Sequence, residues 1–78
     1  MSAYANVEDA KQQLEQEIDR NIAERGVFTA STCPTGQYHG WDMNLHYALE
    51  WFMRNCPPRW HIGRILKWEC YDWTITAR

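Results

Sequence analysis

No apolar run in this 78-residue chain approaches the ~20 residues that a membrane-spanning helix requires. The stretch from Met1 to Arg25 is polar and acidic and lacks the apolar segment of a signal sequence. Cysteine is scarce and poorly arranged for cross-linking. There are three, an odd number, with no Cys-x-x-Cys pair. That argues against a disulfide framework and for a reducing, cytoplasmic setting. There is no glycine-rich phosphate loop, no His-Glu-x-x-His and no Gly-x-Ser-x-Gly, so the common catalytic signatures are missing. Basic runs are missing too, and the formal net charge is −2. Residues 1–25 hold six acidic side chains against three basic ones, and residues 26–78 hold four against five. Charge alone therefore points to no nucleic-acid partner.

What the chain does have is aromatic bulk: five Trp, four Tyr and two Phe. A single domain of this length buries only around 60% of its unfolded surface. Each aromatic ring can bury roughly 150–250 Å², so some of these rings are expected at the surface or in an interface. Residues 1–78 are read as one small domain.

Residues 7–25 carry the signature of a helix. Asn6 is placed to cap it, Glu8 and Asp9 meet the positive end of its dipole, and Gly26 suits the left-handed position after its last turn. Val7, Ala10, Leu14, Ile18 and Ile22 recur at helical spacing. The stripe is narrow, so Val7, Leu14, Ile18 and Ile22 are expected to form a helix-pairing seam, with a homodimer through this helix as one outcome. Residues 27–32 favour a strand by β-branched content. Pro34, Gly36 and Gly40 mark a loop over residues 33–41. Residues 43–55 read as a second helix capped by Asp42 and ended by Cys56, Pro57 and Pro58. Residues 60–68 lean to strand, with helix as the alternative, since Gly63 weakens a helix by about 1 kcal/mol relative to Ala. Tyr71, Trp73, Ile75 and Ala77 alternate with Asp72, Thr74 and Thr76 as in a half-buried strand. The expected fold is α+β: a long N-terminal helix and a central helix packed on a small, mostly antiparallel sheet.

The second helix has two apolar sides. Leu45, Ala48, Leu49 and Phe52 lie within about 60° of one direction, whereas Met43, Tyr47 and Trp51 lie roughly opposite. One reading has both sides covered, by the sheet and by the first helix. The sharper reading makes Met43, Tyr47 and Trp51, with Arg54 at their end, a contact ridge for a protein partner, because interfaces enrich Trp, Tyr, Met and Arg.

A second constellation is formed by Cys33 and His39, echoed by Cys56 and His61. Each member of the echo reads Cys-Pro, a spacer, an aromatic and His. Two Cys/His pairs supply the ligand count of a Cys₂His₂ zinc site, although the spacings are loose. The same pairs would have to serve as nucleophile and base in any enzyme, and neither has a neighbouring acid to orient its His. Arg54, Arg59, Arg64 and Lys67 interleave with Trp51, Trp60, Trp68 and His61, a pattern that can hold single-stranded nucleic acid by phosphate contact and base stacking. The leading expectation is a non-catalytic protein that docks on a larger protein as an inhibitor, adaptor or regulatory subunit. In size and composition alone the chain is similar to small phage-encoded proteins that block host or defence machinery. The alternative is a zinc-stabilised nucleic-acid-binding module. No cofactor other than zinc is expected.

Overall fold

The computed structural model describes residues 3–31, 43–67 and 70–78. The chain runs α1 (Val7–Arg25), β1 (Val27–Ser31), α2 (Met43–Arg54), β2 (Trp60–Lys67) and β3 (Cys70–Ala77). Two helices pack on a three-stranded antiparallel sheet, the α+β arrangement expected from the pattern.

α1 begins where the capping signal places it. The Asn6 side-chain oxygen accepts a hydrogen bond from the Asp9 backbone N–H at 2.8 Å, and the Asp9 carboxylate accepts one from the Ala5 N–H. The first contact satisfies a donor that the first turn leaves without an intrahelical partner, and the second ties the chain before the cap to the helix start. The helix stops at Gly26, whose φ of 82° lies in the left-handed region and whose N–H donates to the Ile22 carbonyl. A residue with a Cβ would be strained there, so glycine lets the chain turn at once into β1.

β3 is the central strand, with β1 and β2 antiparallel on either side. Its alternation sorts the two faces: Trp73 and Ile75 are buried, whereas Thr74 between them is exposed. Residues 60–67 form the expected strand rather than the alternative helix, and Trp60 at the start of β2 is fully buried. Both helices lie on the inner face of the sheet, and one cluster of buried residues joins Leu14 and Ile18 of α1, Phe28 of β1, Leu45, Leu49 and Phe52 of α2, and Trp60, Trp73 and Ile75 of the sheet. α1 packs directly on β1, β3 and α2. α2 reaches β2 through long side chains: Phe52 meets the edge of Trp60 with ring centroids 5.1 Å apart, and the Glu50 carboxylate accepts from Arg64 at 2.7 Å.

Two expectations need correction. Leu14 and Ile18 are 1% and 0% exposed inside the chain's own core, with Ile22 packed against that core and Val7 half-buried. The helix-pairing seam is therefore intramolecular: α1 pairs with α2 and covers the sheet, and the stripe is narrow because two helices share one sheet face. The second correction concerns cysteine. Cys70 is disulfide-bonded, its partner lying outside the described residues, and Cys56 is a free, exposed thiol. An odd cysteine count does not by itself exclude a bridge. The 33–41 loop, the Asp42 cap, Thr32 and Trp68 lie outside the described residues.

Candidate docking surface

The amphipathic pattern of α2 divides its side chains sharply. Leu45, Ala48, Leu49 and Phe52 are buried against the sheet and α1, and Met43, Tyr47 and Trp51 are 50%, 52% and 38% exposed. The three exposed residues recur every four positions, so they rise as a continuous ridge along the helix, with exposed Arg54 beside its C-terminal end. The reading in which both sides of α2 are covered does not hold for this ridge. The reason is geometric: α1 and the sheet occupy adjoining sides of α2, and the described residues provide no third layer.

The ridge is anchored rather than loose. Trp51 meets the Phe52 ring edge-on at 5.2 Å and 77°, and Phe52 in turn meets Trp60, so a chain of rings runs from the surface to the core. The Lys11 ammonium of α1 lies 4.2 Å from the centre of the Trp51 ring and 2.7 Å from the Glu8 carboxylate. His46 lies edge-on to Tyr47 at 5.9 Å. Such contacts restrict the rotamers of the aromatic side chains, which lowers the entropy lost when a partner covers them.

Each flank of α2 carries a different charge arrangement. On the α1 side, a groove of about 570 Å³ is lined by Glu8, Asp9, Lys11, Gln12, Glu15, Trp51 and Phe52. On the β2 side, Arg64 bonds to Glu50 and spreads its guanidinium over Tyr71 at 4.3 Å and Trp73 at 5.3 Å. Below the groove a polar tie joins α1 to the start of β2. The Asp19 carboxylate accepts from Arg59 Nε at 3.1 Å, from Arg59 again at 2.8 Å and from Trp60 Nε1 at 2.7 Å, while Glu15 also pairs with Arg59. The hydrogen bond from Arg59 is the main cause that holds the Asp19 carboxyl below its ordinary range; partial burial opposes it, and the hydrogen bond from Trp60 and the Arg59 charge act with it more weakly, while the carboxylates hold the Arg59 proton more firmly than usual.

Three of the four cations read as nucleic-acid contacts are engaged within the chain, and Arg54 is exposed at the end of the ridge. Arg59 pairs with Asp19 and Glu15, Arg64 with Glu50, and Lys67 with Asp72 at 3.1 Å. Trp60 is buried, so it offers no platform for a base. Of the four zinc candidates, Cys33 and His39 lie outside the described residues. The Cys56 thiol points to the carbonyls of Pro57 and Trp60, and His61 is exposed on β2. Among the described residues no group of three or more His, Cys, Asp or Glu is placed to hold a metal ion.

Sequence reasoning found the ridge but missed Lys11, the Asp19–Arg59–Trp60 tie and the Glu50–Arg64 pair. All three join segments far apart in the chain, and only the (i, i+3) spacing of Glu8 and Lys11 is visible locally. Comparison of the chain with protein-family models, with curated proteins and with solved structures finds no match.

Proposed function

We propose that this chain is a non-catalytic binding protein that docks on a larger protein, as an inhibitor, adaptor or regulatory subunit does, through Met43, Tyr47 and Trp51 with Arg54 at their end. The observation that carries the reading is the exposure of three large apolar side chains in one ridge on a helix whose opposite face is buried. Single exposed apolar residues are ordinary, whereas an aligned set of Met, Tyr and Trp has the composition of an interface core. Trp51 is the expected anchor, because it is the largest ring of the ridge and its orientation is fixed by Phe52 and Lys11.

The test pairs binding with stability. A partner retained from the native host extract by the wild-type protein is purified and titrated against wild type, Trp51→Ala and Tyr47→Ala. Truncating a hot-spot aromatic costs about 2 kcal/mol or more, which is roughly 30-fold in affinity. Trp51→Ala is expected to bind at least that much more weakly while losing only about 1 kcal/mol of stability, the scale of its edge-on ring contact. Phe52→Ala removes a core ring and is expected to cost about 3–5 kcal/mol of stability. Equal destabilisation by the two substitutions, or unchanged affinity in both ridge variants, would overturn the reading.

A further inference from the structure

We propose that the groove between α1 and α2 receives an arginine or lysine side chain from a basic, amphipathic segment of the partner, laid on the Trp51 ring in the place that Lys11 now holds. This rests on the ridge as a docking surface and adds the chemistry of what docks there.

The groove already works as a cation site for the chain itself. Lys11 is a surface-helix lysine, yet its side chain is only 16% exposed, because its ammonium sits between the Trp51 ring at 4.2 Å and the Glu8 carboxylate at 2.7 Å. A ring face and a carboxylate that both contact one ammonium stabilise it by quadrupole and by charge together. An arginine fits the same two partners at least as well: its flat guanidinium stacks on an indole, and its fork of N–H donors matches a carboxylate.

Charge decides the sign of the partner. The groove lining sets Glu8, Asp9 and Glu15 against Lys11 alone, and α1 as a whole is acidic. Arg59 offsets Glu15 from below, which still leaves the rim negative. An incoming basic side chain is therefore attracted, and an acidic one is repelled. Lys11 can give way without losing every partner, since Glu15 lies one helical turn further along α1. Beyond the groove, Met43 and Tyr47 continue the apolar ridge, and methionine adapts its shape to varied apolar side chains. Apolar residues along one side and a cation at its edge define a basic amphipathic segment.

The experiment uses the full chain and two acetylated, amidated amphipathic peptides of leucine and alanine, one carrying arginine and the other the neutral isostere citrulline at the same positions. Affinities are measured by calorimetry at low and at high salt, with thermal melts of every variant. The arginine peptide is expected to bind at least about tenfold more tightly than the citrulline peptide at low salt, with the gap narrowing at high salt. Lys11→Met, which keeps an apolar stem over the ring and removes the resident charge, is expected to tighten arginine binding by about threefold or more. Glu8→Gln is expected to weaken it. Equal affinity for the two peptides, weaker arginine binding in Lys11→Met, or no binding of either peptide to either protein overturns the proposal. Should both peptides bind equally and both be lost in Trp51→Ala, the ridge stands as a docking surface and only its preference for a cation fails.

Discussion

Asp19 holds the start of β2 to α1, and two substitutions separate its charge from its hydrogen bond to a buried ring. Asp19→Asn keeps an oxygen that can accept from Trp60 Nε1 and removes the charge facing Arg59. Asp19→Ala removes both. The Asp19 and Arg59 side chains are 44% and 48% exposed, so solvent screens their attraction and the ion pair is worth about 0–1 kcal/mol. The Trp60 ring is only 1% exposed, and an indole N–H left without an acceptor costs about 1–3 kcal/mol, toward the low end where water can reach the vacated position. Asp19→Asn should then lose about 0.5 kcal/mol and Asp19→Ala about 2 kcal/mol. For a domain of this size each kcal/mol moves Tm by about 4–8 °C, so the alanine variant should melt roughly 10 °C lower and the asparagine variant only a few degrees lower. Differential scanning calorimetry at neutral pH checks both. Two variants with the same Tm would refute the claim that the Trp60 hydrogen bond carries the larger share. The pH dependence provides a second check. The folded Asp19 carboxyl titrates below its unfolded value of about 3.9, so its contribution is complete above the unfolded value and is lost as pH falls through the lowered folded value. The gap between wild type and Asp19→Asn should therefore shrink in acid and stay constant between pH 6 and pH 8, on the order of the small charge term alone.

Leu14→Glu places a carboxylate in the core and should leave the chain unfolded, or folded only marginally, at every protein concentration; a folded monomer by circular dichroism and sedimentation would show that Leu14 is not core. Trp73 Nε1 is buried with no acceptor among the described residues, whereas Trp60 Nε1 bonds to Asp19, so Trp60→Phe should cost more stability than Trp73→Phe in paired urea melts. Asp72 is held below the usual carboxylate range by a hydrogen bond from Ser31 and then by Lys67, so Ser31→Ala should raise its pKa, as read from the carboxyl shift in an NMR titration. Glu50→Gln leaves the Arg64 guanidinium on its two rings without its carboxylate partner and should lower Tm by a few degrees, an effect that fades in high salt if the charge is what matters.

Much of the architecture was legible from local signals. The Asn6 cap, the Gly26 stop and the apolar spacing fixed both ends of α1, because each signal acts within one helical turn. The alternation around Trp73 and Ile75 fixed β3, and the opposition of Leu45, Ala48, Leu49 and Phe52 to Met43, Tyr47 and Trp51 fixed the two-sidedness of α2. Periodicity reports which side chains share a face, and that is a property of the backbone alone. It does not report what lies against the face. Two apolar sides on α2 and one thin stripe on α1 are compatible with several arrangements of layers. Only the tertiary structure put the α1 stripe into the core and left the α2 ridge outside. The strand lean of residues 60–67 was weak locally, and eight register partners on β3 settle it. The polar ties were beyond the reach of sequence for the same reason. Arg59 meets Asp19 from 40 positions away, and Lys11 meets Trp51 from an equal distance. Those juxtapositions exist because the sheet, closing with β3 in its centre, brings the start of β2 back under α1 and lays α2 beside it.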